Sequence, residues 1–235
     1  SDLCRLRVQV FSSEDQSGNA SGRGGWIVAG PVRKLVLASA SPRRRALLGE
    51  LGWSFEGRVA EVDETPRNGE TPGAMALRLA SAKARDVADR MRREGECAGV
   101  VFLGADTVVV LGEAVLGKPR DRDDARRMLR TLSGREHTVL TAITLVGEEC
   151  ERSALESTQV TFRPLDDAAV DAYAATGEGD DKAGAYAIQG HGALLVERIS
   201  GCYFNVVCLP LHRLSVLLDE CGWNLSQQWR MEAMP

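Results

Sequence analysis

Ser39-Ala40-Ser41-Pro42 runs straight into Arg43, Arg44 and Arg45 at a point where an apolar segment, Leu35-Val36-Leu37-Ala38, gives way to a helical pattern. A strand-turn-helix junction of this kind turns free backbone N–H groups and the positive end of a helix toward whatever lies above it, which suits an anion. The hydroxyls of Ser39 and Ser41, with a guanidinium from Arg43 or Arg44, add the charge-assisted bonds that a phosphate chain takes. Arginine in the first helical turn opposes the helix dipole, so three of them there invite an external negative charge. Neither GxGxxG nor GxxxxGK[ST] occurs in the chain, and the dehydrogenase, P-loop and kinase readings lose their main support.

A second cluster centres on Gly104-Ala105-Asp106-Thr107, where a carboxylate interrupts an otherwise apolar run from Val100 to Val110. A charge there is costly unless it is paired or exposed at a strand end. The carboxyl ends of strands line the ligand crevice in open α/β sheets, which makes Asp106 a candidate general base or metal ligand. Asp63 and Glu64 supply further carboxylates, and two separated acids suit Mg2+ or Mn2+, which take few protein ligands beside phosphate oxygens and water.

The cations carry information of their own. Of 29 Lys+Arg only Lys34, Lys83, Lys118 and Lys182 are lysine, so a lysine that persists marks a place where a compact ammonium differs from a planar fork. Lys83 falls in a long helix, Lys118 in a Gly-Lys-Pro turn and Lys182 after Asp180-Asp181. Gln189, in the loop 184–190, offers both a donor and an acceptor. His137 reads as a structural histidine.

The elements that must position these groups alternate along the chain. Residues 1–32 are rich in Ser, Gly and charge and read as a flexible extension. A domain over 33–225 follows, with 226–235 as a tail. Strands are expected at LVLA and SFEGRVA, and helices from Ser41, from about Ala74 to Arg93, from Asp121 through Leu132, from Asp166 to near Thr176 and from Leu211 to Cys221. The segment VVFLGADTVVVLGEAVLGKP predicts a buried strand, a polar interruption and a hairpin, and ALLVERI a late strand. Because hairpins join several strands, the sheet is expected to be mixed, in an α/β fold.

Composition narrows the class. A net charge of -4 and 5% aromatic content argue against nucleic acid as the partner. No run approaches the ~18 apolar residues of a membrane span. Six cysteines without a CxxC pair suit a reducing compartment and a structure without disulfides or zinc.

Taken in order, LASASPRR, VDE, LAxxKA over Leu79 to Ala84, GADTVV, GKP, LSGREHTV, DKAGAYAIQG and NVVCLPL resemble the Maf family of nucleotide pyrophosphatases from Lys34 to about Gly222. The resemblance implies an elongated mixed sheet with flanking helices, in two lobes around a nucleotide cleft, similar in shape to inosine triphosphate pyrophosphatases. It implies cleavage of a nucleoside triphosphate to the monophosphate and pyrophosphate with a divalent metal, Mg2+ or Mn2+. Asp106 matches the proton acceptor, Arg43, Thr107 and Gln189 match specificity positions, and Glu64, Lys83 and Lys118 match the catalytic pocket. Catalysis is thus expected from Asp106, Lys83 and Lys118. Metal binding is expected at Glu64 and Asp106, and substrate contacts at Ser39, Arg43, Arg44, Thr107, Lys182 and Gln189. The motifs around Thr107 and Gln189 point to UTP and dTTP rather than 7-methylguanosine triphosphate, whose cationic ring would favour a carboxylate over a glutamine. The alternative from another class is a nucleotide-binding regulator of cell division without turnover. The expected setting is the cytoplasm, with a homodimer left open. Cys208 departs from the glycine usual before Leu-Pro.

Overall fold

The computed structural model describes residues 8–10, 34–95 and 99–230, with 8–10 described as backbone. Its centre is three long strands, β4 (Val100–Leu111), β6 (Glu136–Val146) and β7 (Glu151–Phe162), paired antiparallel. On one side β4 is joined in parallel by β2 (Lys34–Ala38), and β2 by β3 (Phe55–Arg58). The hairpin partner β5 (Ala114–Leu116) returns along the far end of β4. Beyond β7 lie β8 (Val196–Ser200), antiparallel, and β1 (Val8–Val10), parallel, which completes a mixed sheet of eight strands.

Helices cover both faces. Residues Leu35, Leu37, Val101, Leu103 and Ala105 point to one face, where they pack with α1 (Pro42–Glu50) and α6 (Leu211–Glu220). Their alternates Val36, Ala38, Val100 and Phe102 pack on the opposite face against Ala84, Val87, Ala88 and Met91 of α2 (Pro72–Arg93). Period two in the strands and 3.6 in the helix produce this division. At the far end α3 (Arg122–Leu132) and α4 (Asp167–Thr176) close a separate core of Leu129, Leu132, Phe162, Val170, Tyr173 and Tyr186. Two lobes therefore share one sheet, and the long strands run through both.

The caps behave as sequence chemistry requires. Ser41, Asp121 and Asp166 each accept a backbone N–H at the starts of α1, α3 and α4. The second helix begins at Pro72 rather than Ala74, because Thr71 is the cap and proline suits the first helical position. Three expectations are corrected. First, β4 is one continuous strand of 12 residues through Asp106, with no polar interruption. Second, Cys150 and Cys221 form a disulfide 71 residues apart, so the expectation of a disulfide-free chain fails. Spacing along the sequence cannot show that the β6–β7 turn meets the end of α6. Third, Gly190–Leu194 forms a 3-10 turn where the start of ALLVERI was expected to be strand, and after β8 the residues Tyr203–Val207 form a short helix, α5.

At the chain ends, β1 falls within the expected extension, whose other residues lie outside those described. A last turn, α7 (Leu225–Gln228), crosses the boundary expected at 225: buried Gln228 bonds to Ser215 and to the Trp223 carbonyl.

His137 stands in the far core. It is 2% exposed, its Nε2 lies 2.8 Å from the Tyr186 hydroxyl, and its ring meets Phe162 and Tyr186 edge-on. Burial pushes its pKa down to about 4. The unfolded chain, with an ordinary value near 6.5, then binds more protons between those limits, so stability is complete above about pH 6.5 and falls as pH drops toward 4. Urea unfolding of the wild type is expected to lose roughly 3 kcal/mol across that window at 1.36 kcal/mol per pKa unit. A His137→Leu variant is expected to lack that part of the slope, and an unchanged slope would refute the assignment.

Candidate active site

The sheet has a notch. β2 pairs with β4 only as far as Leu37 opposite Leu103, and β5 takes up the same edge again at Val109. Between them residues 104–108 of β4 have no strand partner on that side among the described residues. Asp106 therefore lies mid-strand rather than at a strand end, and it is the early stop of β2 at Ala38 that opens its surroundings.

Gly104 sets what faces Asp106. A Cβ at Gly104 would lie 2.1 Å from the Ala80 carbonyl oxygen and 2.7 Å from the Ala84 nitrogen, so α2 crosses β4 in direct backbone contact. That approach carries Lys83 to the carboxylate next along the strand. Lys83 Nζ lies 2.7 Å from Asp106 Oδ1 and 2.7 Å from Glu64 Oε1. Glu64 comes from the loop 61–71, which is tied to α2 by the paired bonds of Arg78 to Glu70, 2.6 and 2.7 Å, and by Arg78 to the Thr65 carbonyl. Asp63 does not join the cluster; it accepts the N–H and hydroxyl of Thr65 locally.

The two carboxyls are driven apart. Burial pushes Asp106 above the usual aspartate range, with the Lys83 and Arg44 charges opposing the shift and Glu64 adding to it. Burial also raises Glu64, but the Lys83 hydrogen bond and charge, with the charges of Lys118 and Arg44, outweigh it and hold Glu64 below its usual value. One group becomes more basic and the other stays ionised, a pairing that serves acid-base chemistry.

The three arginines of α1 diverge. Arg44 turns inward, 7% exposed: Nε donates to the Cys208 carbonyl at 3.0 Å, Nη1 to Ser39 Oγ and the Ala105 carbonyl, and Nη2 to Thr107 Oγ1. Four of its five N–H groups are thus used, on neutral acceptors. The backbone at Cys208 adopts φ 128°, a glycine-like conformation held by a cysteine, and in it the carbonyl reaches Arg44. Arg45 lies over Gly57. Arg43 is half-buried, and its charge is felt by Tyr173 and Asp181 across the notch. Ser39 Oγ also accepts the Ser41 N–H, and Thr107 Oγ1 lies 3.0 Å from Thr141 Oγ1.

The far lobe supplies the remaining residues. Lys118 is exposed, and the carbonyl of Gly117 beside it accepts the Gly184 N–H. Lys182 is tucked in, bonded to Asp181 and to the Glu178 carbonyl. Gln189 is exposed and bonds to nothing among the described residues. The structure thus joins Glu64, Lys83 and Asp106 directly, with Arg44 and Thr107 behind them, while Lys182 and Gln189 belong to a second group. Thr141, which bonds to Thr107 and to the Asn205 carbonyl, and Tyr173 and Glu178, which accept the backbone N–H groups of residues 187, 191 and 192, escaped the sequence reading. Buried polar residues within apolar strands are the signal for Thr141; Glu178 sits in an acidic loop that reads as solvated.

The family model described as Maf-like protein matches residues 34–221. The chain belongs to the Maf-like protein family. It is 46% identical over 196 residues to a dTTP/UTP pyrophosphatase of Pelotomaculum thermopropionicum, covering 83% of this chain and 100% of that one. It is 50% identical to the dTTP/UTP pyrophosphatase of Anaeromyxobacter dehalogenans strain 2CP-1, over 82% of this chain and 96% of that one. A solved structure of the Staphylococcus aureus Ham1 protein is similar over 70% of this chain and 80% of that one, at 11% identity and TM-score 0.39, too distant to add to the argument.

Two substitutions test this construction. Gly104→Ala is expected to cost about 3 kcal/mol or more in denaturant unfolding, since a methyl has no room against the α2 backbone and overpacking is destabilising; a loss under about 1 kcal/mol would show that α2 does not rest there. Asp106→Asn is expected to leave the melting temperature unchanged or higher, because a carboxyl with a raised folded pKa costs stability once ionised. The same change is expected to cut turnover at least about 100-fold, the scale for a lost general base. A mutant that retains turnover would remove Asp106 from that role.

Proposed function

We propose that this member of the family is a nucleoside triphosphate pyrophosphatase that converts UTP and dTTP to the monophosphate and pyrophosphate. The observation that carries the reading is the shared ammonium: Lys83 bridges an aspartate made more basic by burial and a glutamate held ionised. Two neighbouring carboxyls whose surroundings drive them apart in this way form the arrangement that proton transfer uses. The names of the relatives, dTTP/UTP pyrophosphatase, supply the substrate class.

In the proposed reaction Asp106 accepts a proton from water as its oxygen bonds to the α-phosphorus and the bond to the bridging oxygen of pyrophosphate breaks. Lys83 orients Asp106, and Lys118 and Arg43 meet the negative charge of the phosphate chain. No group of three or more His, Cys, Asp or Glu that would hold a metal occurs among the described residues. Two carboxylates that already share a cation still fit an ion such as Mg2+, which needs one or two of them beside phosphate oxygens. Glu64 and Asp106 would hold such a Mg2+ or Mn2+ ion, which when bound polarises the phosphate. No described helix is long and apolar enough to cross a membrane. A cytoplasmic location, where these nucleotides are used, is part of the same proposal.

A product assay over UTP, dTTP and 7-methylguanosine triphosphate, with Mg2+ and with chelator, tests the reading. Equal amounts of pyrophosphate and monophosphate are expected from UTP and dTTP with metal, falling to background with chelator, and kcat/KM for the methylated nucleotide at least tenfold lower. Release of single phosphates, or no product at all, would overturn it.

A further inference from the structure

Gln189 is the one residue of the run 187–190 whose side chain carries donors and acceptors, and its loop is fastened on both sides by two residues with no assigned role. Upstream, the Ala187 N–H donates to the Tyr173 hydroxyl at 3.0 Å. Downstream, the His191 N–H donates to Glu178 Oε1 at 3.1 Å and the Gly192 N–H to Glu178 Oε2 at 2.8 Å. The two fastenings meet at Gly192, whose N–H goes to Glu178 and whose missing Cβ leaves room for the Tyr173 hydroxyl. The fastening is tight. A Cβ at Gly190 would lie 2.0 Å from Glu178 Oε1, and one at Gly192 would lie 2.1 Å from the Ala187 carbonyl and 2.7 Å from the Tyr173 hydroxyl. Ala187 and Ile188 are buried, so within 187–190 Gln189 is the side chain turned outward at the crest. The main-chain carbonyl of Glu178 meanwhile receives the Lys182 ammonium.

We infer that Glu178 and Tyr173 form a buckle that positions Gln189, so that they set the choice of nucleotide base without touching the substrate. The inference rests on the pyrophosphatase reading and names positioning residues for that site. Two fixed backbone N–H groups converge on Glu178, one on each oxygen, and an acceptor-only carboxylate answers both. In Glu178→Gln the amide must set its NH2 against one of those donors, which breaks one side of the buckle. Tyr173→Phe removes a single buried oxygen and leaves Glu178 with both backbone bonds.

The test is a double-mutant cycle with Gln189→Ala, read as the ratio of kcat/KM for UTP to that for GTP. Tyr173→Phe and Glu178→Gln are each expected to lower the ratio at least fivefold in the wild-type background, mainly through a higher KM for UTP with kcat within about threefold. In the Gln189→Ala background each is expected to change the ratio less than twofold, since the group they position is gone. Equal factors in both backgrounds, or an unchanged ratio in folded Tyr173→Phe, would overturn the buckle. Tyr173→Phe carries the test alone should Glu178→Gln not fold. A wild-type chain that makes no pyrophosphate counts against the pyrophosphatase reading, and the same cycle is then read on UTP and GTP dissociation constants by calorimetry, where additivity or absence of binding still overturns the buckle.

Discussion

The close crossing of α2 over β4 governs the site, because it places a lysine on a helix within reach of a carboxylate on a strand. Backbone can rest on backbone there only because residue 104 is glycine and the helix presents Ala80 and Ala84 at the contact. Any larger residue would lift the helix and with it Lys83, whose ammonium lies 2.7 Å from both Asp106 and Glu64. An ionised aspartate in this nearly buried position is tolerable because that ammonium shares its charge. The Gly-Ala-Asp-Thr motif is thus one steric requirement followed by one electrostatic one.

Arg44 supports the same group from the other face of the sheet. A guanidinium stays charged at any ordinary pH, and this one is buried on carbonyl and hydroxyl oxygens alone. It links α1, the notch at Ala105, Thr107 and the turn at Cys208, so the loops around the notch are fixed by one side chain. Its charge also works against the upward shift of Asp106 and helps keep Glu64 ionised. Cys208 accepts a backbone conformation that favours glycine, and the bond from Arg44 is the visible compensation.

Local rules made much of this legible. Serine or aspartate before an apolar period located the starts of α1, α3 and α4, and Asp106 stood out as a charge in an apolar run. Lys83 and Lys118 emerged from their rarity among 29 basic residues. What the sequence hid depends on distant segments meeting. The direction of Arg44 follows from helical phase relative to a sheet that is not yet placed, so it could not be separated from Arg43. The disulfide of Cys150 with Cys221 and the bonds of Glu178 to residues 13 and 14 positions later have no local signature.

The two lobes divide the labour by the kind of structure each uses. Glu64 comes from a loop, but Lys83 and Asp106 stand on a 22-residue helix and a 12-residue strand whose relative position is fixed by packing. Gln189 stands on a loop held by a handful of hydrogen bonds to Tyr173 and Glu178. Packed elements hold reacting groups to the tolerance that proton transfer demands, whereas loops accept substitution and insertion at little cost to the core. Under the proposed function, a change in the far lobe alters which base is admitted while Lys83 and Asp106 keep their separation, because the Gly104 crossing that sets it rests on Ala80 and Ala84 of α2.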